Sequence, residues 1–596
     1  MFSRTWLCAK SWLVGVAVLC TVAAAEAAIS EREVSPFINA ELEAHSALFD
    51  KKIYRIGDNV YSAVGWGLAN TIMIEGDDGV IIVDTGEDIN SARTIAEELR
   101  NISDKPVRAV IYTHFHPDHI NGVKAYVSQE QANSGEIAVI AHSSLLGNVI
   151  NQGGNIGPIL GMRTGYTSGA LLPPEQREGG NLGIGPNPNV GPATFIAPTV
   201  TYEDRRTMNI AGVELELRHV PSEAPDETAV YLPGQNILLS GEAIQGPTLP
   251  NIHTLRGTKF RDPVLWYKSI DVLRTYKAEH LVPSHGPPVS GVAEVERVLR
   301  VTRDGIQYIH DQTIRGMNNG LTPDELAQSV KLPAYLASQK PWLGEYYGTV
   351  KHSVRQIYQG YLGWFSGDPV DLDPTPRVAS AQRYIALMGG RDVVLEEAGR
   401  AYSGEDYQWA SELATLLIRV DHEDRDARLL KAAAFRQLGY ASVNPNWRNW
   451  YLTSASELDG TLDIAAVQRR MAAGVSSPDL LKALPAASLV EGMSTRLRAE
   501  LTADVHSTLA FNVVDEGERF SLEIRRGIAQ FHSAPLAHMD AEVRLEKAVL
   551  QRLLAGKVTV SDGVKTGDIR LSGDAAAAGR FFDYFAPPGL INLTVR

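Results

Sequence analysis

Residues 107–119 read Val107-Arg108-Ala109-Val110-Ile111-Tyr112-Thr113-His114-Phe115-His116-Pro117-Asp118-His119. The first half is a short, mostly apolar run with β-branched residues, the pattern of a buried strand. The second half puts three histidines and an aspartate within six residues at the exit of that strand. Alternate side chains of an extended segment share a side, so His114 and His116 face one way and can grip one metal. The chain turns at Pro117, which lets Asp118 and His119 reach a second metal beside the first. Imidazole and carboxylate are zinc ligands, and a catalytic zinc keeps one position for water. Two such ions, ~3.5–4 Å apart, can share a water, lower its pKa and clamp an oxyanion. A single-metal site and a purely structural cluster are the alternatives.

Working outward, 60–64, 71–75 and 80–83 are β-rich, and Gly76-Asp77-Asp78-Gly79 marks a hairpin between the last two. Residues 91–100 predict a helix with Ala92, Ile95, Ala96 and Leu99 on one face. A helix is expected at 122–128 and a strand at 137–141. The stretch 153–192, rich in Gly, Pro and Asn, reads as a long loop, a functional lid or a disordered segment. Further strands are expected at 194–197, 208–210 and 213–219. Another, 237–242, ends in Glu242, and 280–286 ends in His285. This alternation suits an α/β domain of two packed sheets with helices outside. The strand ends offer the remaining ligands: Glu223, Glu242 and His285. His219 competes with Glu223 for its place. Asp84, at the end of 80–83, either orients a ligand histidine or caps a turn.

The chain has 596 residues, too many for one core. Its net charge of −14 argues against nucleic acid as a partner, although local arginines and bound metals can still draw an anionic substrate. Residues 1–28 read as an export signal, with Arg4 and Lys10, an apolar stretch from Trp12 to Cys20, and small residues around Ala25-Glu26-Ala27. An uncleaved anchor is the alternative, and Leu19 argues against a lipoprotein cysteine at Cys20. A secreted or periplasmic protein with no stable membrane span after signal removal is expected. Both cysteines, Cys8 and Cys20, lie in this segment, so the mature chain's metal ligands must be histidine and carboxylate. After Val292 helices dominate, and the proline-rich 369–376 reads as a linker. Helices fill roughly 377–439, and 481–596 reads as a small α+β domain. In Ala548-Val549-Leu550-Gln551-Arg552-Leu553-Leu554 the apolar residues form either core or a lipid groove.

The HxHxDH segment resembles the signature of the metallo-β-lactamase superfamily. Glu223, standing where most members have histidine, is similar to the alkyl sulfatase branch. So are Ser222-Glu223-Ala224-Pro225-Asp226-Glu227, Ser240-Gly241-Glu242, and the run from Asn251 to Asp262. The blocks Leu321-Thr322-Pro323-Asp324-Glu325-Leu326, Glu345-Tyr346-Tyr347-Gly348-Thr349-Val350, Tyr361-Leu362-Gly363-Trp364-Phe365 and Arg448-Asn449-Trp450-Tyr451-Leu452-Thr453 extend the resemblance over nearly the whole mature chain.

The resemblance implies a metallo-β-lactamase αββα sandwich (29–368), an all-α helical dimerisation domain (377–480) and an α+β sterol-carrier-protein-2-like domain (481–596). It implies two Zn2+ per subunit. His114, His116 and Glu223 take one, Asp118, His119 and His285 the other, and Glu242 bridges. Asp118 and Glu242 are the acids assigned to catalysis. Asn251 and Arg256 match the family's sulfate grip, and an arginine fork suits a sulfate because it donates parallel hydrogen bonds. Tyr166 matches a family tyrosine expected at the substrate. His253 departs from an expected aromatic. The implied reaction is hydrolysis of alkyl sulfate esters by a homodimer. The alternatives are phosphodiester, lactone or lactam hydrolysis on the same fold, and a lipid-binding protein led by the C-terminal domain.

Overall fold

The computed structural model describes residues 38–153, 156–177, 181–189, 191–474, 477–586 and 593. The export reading at 1–28 lies outside the described residues. Among them no helix is long and apolar enough to cross a membrane.

The first sheet runs in chain order: β1 (Lys52–Ile56), β2 (Val60–Val64), β3 (Thr71–Glu75), β4 (Val80–Val83), β5 (Val107–Ile111), β6 (Ala138–His142) and β7 (Val200–Tyr202). Strands β4 to β7 are parallel neighbours. The second sheet comprises β8 (Arg205–Ile210), β9 (Val213–His219), β10 (Thr228–Leu232), β11 (Ile237–Leu239), β12 (His280–Val282) and β13 (Val289–Ser290), ordered 13-12-11-10-9-8.

Period-two alternation assigns the faces. Along β5, Ala109 and Ile111 enter the core between the sheets, where they meet Leu215, Leu217, Val230 and Leu239. Val110 and the following Tyr112 point outward, into a layer with Ile95 and Leu99 of the helix Ile89–Arg100. The second sheet covers its outer face with Trp266, Ile270 and Leu273 of the helix Pro263–Arg274, and with the helix Val292–Asn318. The result is the αββα sandwich expected from the resemblance.

Several local expectations change. The segment 153–192 holds a full helix, Gly157–Ser168, and a short one, Pro174–Arg177. Residues 194–197 are not a strand, although Phe195 and Ile196 are buried. The Tyr112 hydroxyl donates to the Ile196 carbonyl at 3.1 Å, which satisfies the backbone without a ladder. The helix expected at 122–128 is only the 3-10 turn Val123–Ala125.

Helices from Arg377–Leu387 to Pro445–Leu458 pack around Ala410, Leu413, Leu417 and Ala434. The C-terminal part is a five-stranded sheet, β14 (His506–Val513), β15 (Glu518–Arg525), β16 (Ile528–His532), β17 (Ala541–Leu545) and β18 (Arg570–Gly573), ordered 16-15-14-17-18. Val549, Leu550 and Leu553 sit in its core beside Phe511 and Phe581.

Lys431 is 7% exposed in the helical part. Burial, reinforced by Arg419 and opposed by Glu457, brings its amine down to about 8. The folded state therefore binds fewer protons than the unfolded one, whose lysine titrates near 10.4. Stability is lower at pH 7 and recovers as pH rises from about 8 towards 10.5. Lys431→Met should stabilise this part by roughly 2–3 kcal/mol at pH 7. Thermal melts of both proteins should converge as the pH approaches that upper limit.

Candidate metal centre and anion site

Parallel pairing puts the C-terminal ends of β4 and β5, and of β11 and β12, along one rim of the sandwich. Thr228 N donates to Thr113 O at 2.8 Å and ties the two sheets together there. Six of the seven sequence-predicted metal ligands are buried at this rim, and Asp118 is partly exposed.

The donor atoms converge as two groups: His114, His116, Glu223 and Glu242, and Asp118, His119, Glu242 and His285, each within 4.8 Å. In the first, His114 Nε2 lies 2.8 Å from His116 Nδ1, which lies 2.9 Å from Glu223 Oε2. In the second, Glu242 Oε1 lies 3.1 Å from His119 Nε2 and 2.7 Å from His285 Nε2, with Asp118 Oδ2 3.4 Å from His119 Nε2. Glu242 belongs to both groups. The donors are nitrogen and oxygen only, arranged as a pair with a shared carboxylate, and this set fits divalent ions of zinc's kind.

Electrostatics sorts the histidines. Burial, with His119 and His116 adjacent, pushes His114 well below its ordinary value. Burial opposes a charge on His119, but Asp118 and Asp84 outweigh it and hold that imidazole well above. Despite its own burial, Glu242 is held far down by His285, His119 and His114.

The groups behind these histidines are built with equal care. Asp84 takes φ 59°, uncommon for a side-chain-bearing residue. Its carboxylate accepts from Thr113 N and Thr113 Oγ1, both at 2.8 Å, and meets His119 Nδ1 at 2.7 Å. Hydrogen bonds thus compensate the strain and fix the ring, the orienting role expected from the sequence. Asp84→Asn should weaken metal binding about 10–100-fold, measured by zinc competition against a chelator.

Glu227, for which the sequence reading had no role, mirrors Asp84. It is fully buried, accepts from Glu242 N at 2.8 Å and lies 3.4 Å from His114 Nδ1. Gly241, at φ +56°, is required beside it, since a Cβ there would come within 2.3 Å of Glu227 Oε1. His219 does not compete for the metal. It stacks on His142 at 4.0 Å, and its Nε2 bonds the Pro225 carbonyl at 2.8 Å.

The predicted anion grip lies alongside. Arg256 Nη2 donates to His116 Nε2 at 3.1 Å, on the ring edge away from the first donor group. Asn251 is 1% exposed, and neither its side-chain oxygen nor its nitrogen has a protein hydrogen-bond partner. Such a buried, unpaired amide is costly unless a ligand completes it. Two residues without an assigned role hold this loop. Gln245 accepts from Asn251 N at 2.7 Å and donates to Glu242 Oε2 at 3.1 Å. Buried Arg261 donates to Asn251 O at 2.6 Å and pairs with Glu223. Buried polar pairings of this kind leave no periodic trace in a sequence.

Tyr166 is corrected. It is fully buried, packs 4.9 Å from Trp450, and its hydroxyl donates to Glu457 of the helical part. That bond takes its only donor into a domain junction. A different tyrosine, Tyr347, lies near the charges of the site. Burial, and then the negative charges of Glu223 and Glu242, raise the Tyr347 phenol. Asn444 and Asn446 Nδ2 donate to its carbonyl at 3.0 and 3.2 Å. The only sequence signal was its place in the Glu345–Val350 block. His253 is half-buried, and burial, Arg261 and Arg163 bring it down to about 4, so it is neutral.

Comparison with known proteins bears on the same surfaces. Sequence profiles match at 64–285 (metallo-beta-lactamase superfamily), 322–461 (alkyl sulfatase dimerisation) and 474–589 (alkyl sulfatase C-terminal). A linear primary-alkylsulfatase from Pseudomonas sp. (strain ATCC 19151) is 54% identical over 530 residues, covering 88% of this chain and 100% of that protein. The chain belongs to the alkyl sulfatase family. Two further alkyl sulfatases share less of the sequence. An alkyl/aryl-sulfatase from Saccharomyces cerevisiae is 32% identical, over 88% of this chain and 80% of that one. The structure of a stereoselective inverting sec-alkylsulfatase from Pseudomonas sp. superposes with a TM-score of 0.86 at 29% identity, covering 94% of this chain and 88% of that one. The αββα sandwich, the helical region and the C-terminal α+β unit are thus the architecture of an alkyl sulfatase.

Proposed function

We propose that this alkyl sulfatase hydrolyses alkyl sulfate esters to alcohol and inorganic sulfate with two zinc ions per subunit. The observation that carries the reading is the pair of donor groups sharing Glu242, with the unpaired Asn251 amide and Arg256 beside them. His114, His116 and Glu223 would hold one ion, Asp118, His119 and His285 the other, and Glu242 both. When bound, the ions supply the Lewis acidity that activates water and offsets negative charge.

The chain does the rest. Arg256 and Asn251 bind and orient the sulfate through charge-assisted and amide hydrogen bonds. Asp84 and Glu227 keep His119 and His114 turned towards the ions. Tyr347, with its phenol raised by burial and by Glu223 and Glu242, keeps its proton near the site's carboxylates. If the C–O bond breaks, sulfate leaves as a weak base and little acid assistance is needed; if the S–O bond breaks, an alkoxide leaves and must take up a proton.

Zinc-loaded enzyme should release inorganic sulfate from primary alkyl sulfates. Cleavage of a phosphodiester or lactam with no sulfate released would refute the reading. In oxygen-18 water, label in the alcohol identifies C–O cleavage and label in the sulfate identifies S–O cleavage. A homodimer completes the proposal. The dimerisation profile supports it, and so do the exposed Trp364, Val370, Leu372 and Leu387 near the start of the helical region. Sedimentation velocity would test it. The export reading stands as a proposal as well, tested by N-terminal sequencing of the mature protein.

A further inference from the structure

The residues that carry Asn251 and Arg256 form neither helix nor strand: 251–262 is irregular throughout. Such a loop has no ladder to place its backbone, so its carbonyls depend on local turns, side chains or water. One side chain does much of this. Arg163 Nη2 donates to Leu255 O at 2.6 Å, and Arg163 Nε lies 3.1 Å from the same oxygen and 2.9 Å from Arg256 O. These two carbonyls flank the Arg256 Cα. The local turn adds one backbone bond, Gly257 N to Thr254 O at 3.0 Å, and needs glycine there at φ +106°.

Arg163 is not part of the sandwich. It lies on the helix Gly157–Ser168, in the segment the sequence presents as a lid. That helix is docked on the helix Pro445–Leu458 of the helical region. The Trp450 ring lies 5.5 Å from the Arg163 guanidinium carbon, a cation–π distance. Trp450 Nε1 donates to Thr167 Oγ1 at 3.0 Å, and Asn449 Nδ2 donates to Thr167 O at 3.1 Å. Tyr166 and Glu457 close the same junction. A continuous chain of contacts therefore runs from the helical region through Trp450 and Arg163 to the backbone of Arg256, whose guanidinium touches His116.

We propose that Arg163, braced by Trp450, is a positioning residue that sets the height of the anion grip, so that docking of the helical region fixes the affinity for sulfate. The proposal rests on Arg256 and Asn251 gripping sulfate, as argued above. The lid helix then acts as a fixed strut. Because Arg163 touches no donor of the metal centre, its loss should spare the metals and impair anion binding.

The test compares Arg163→Met, Arg163→Lys and Trp450→Phe with the unmodified enzyme. The readouts are the inhibition constant of inorganic sulfate, KM and kcat for decyl sulfate, and bound zinc. Displacing an oriented group by ~1 Å can cost on the order of 100-fold, and the hold on Arg256 is shared with its own turn. Arg163→Met should therefore raise both the sulfate inhibition constant and KM by about tenfold or more, with zinc content unchanged. Arg163→Lys, which can still reach one carbonyl, should fall between. Trp450→Phe keeps the ring and loses the bond to Thr167, and should give a smaller rise in the same direction.

An unchanged sulfate inhibition constant in Arg163→Met overturns the proposal, whatever happens to kcat or the melting temperature. If that variant does not fold, an unchanged constant in both gentler variants overturns it equally. Failure of the underlying reading looks different: the unmodified enzyme itself would neither release sulfate from decyl sulfate nor be inhibited by inorganic sulfate.

Discussion

Glu242→Ala should cost the enzyme at least one metal per subunit and lower kcat/KM by about four orders of magnitude or more, a barrier increase of roughly 5.5 kcal/mol. The reason is geometric. Glu242 is common to both donor groups, and its Oε1 stands between His119 Nε2 at 3.1 Å and His285 Nε2 at 2.7 Å, with His114 Nε2 at 4.0 Å. Removing it takes a ligand from both groups at once, and with it the negative charge that several buried imidazoles face. Glu242→Gln separates charge from shape. The amide fits the same space and can still bond Gln245, so the fold should persist while metal affinity falls. Bound zinc by elemental analysis and the zinc-dependent rise in melting temperature report this directly, since an ion that binds only the folded state stabilises it by mass action. Full zinc content with near-normal turnover in either variant would remove Glu242 from the centre.

What the sequence made legible follows the reach of local rules. The alternation in 107–112 assigns faces because a strand between two layers must place Ala109 and Ile111 on one side and Val110 and Tyr112 on the other. The histidine cluster is equally local, and its four ligands lie on one short turn. Glu223, Glu242 and His285 could be read as strand-end residues, although their convergence needs the tertiary fold. The helix Gly157–Ser168 was hidden by Gly157, Pro158, Gly161 and Gly165, which read as loop punctuation. In the structure Pro158 sits in the first turn, where its missing N–H costs nothing. Gly165 makes room for Leu171, which a Cβ there would approach to 3.2 Å. Tyr166 was placed at the substrate by its match to a family tyrosine, whereas inside this docked helix it is core. Glu227, Gln245 and Arg261 stayed silent because each gains its meaning from a partner distant in sequence or brought near by an irregular turn.

Arg256 gives the second large effect, and it can be separated from the first. Arg256→Met should lower kcat/KM for alkyl sulfates by about two to three orders of magnitude, or roughly 3–4 kcal/mol, as expected for losing more than one charge-assisted hydrogen bond to an anion. Arg256→Lys should recover only part of this, since an ammonium cannot reproduce the planar fork. The inhibition constant of inorganic sulfate should rise in step with the loss. Zinc content distinguishes two roles that the geometry unites. The guanidinium belongs to the proposed anion grip, yet it also donates to His116 Nε2 at 3.1 Å and so helps hold that ring. If Arg256 acts on the substrate, both variants keep their zinc and lose sulfate affinity. If its main work is to hold His116, zinc is lost from the group containing His114 and Glu223, and sulfate inhibition of the remaining activity stays unchanged. The unpaired amide of Asn251 favours the first outcome, because that buried group has no protein partner and an anion bound beside it would complete it. Asn251→Ala should then weaken sulfate inhibition in the same direction as Arg256→Met, by a smaller factor, with both metals in place.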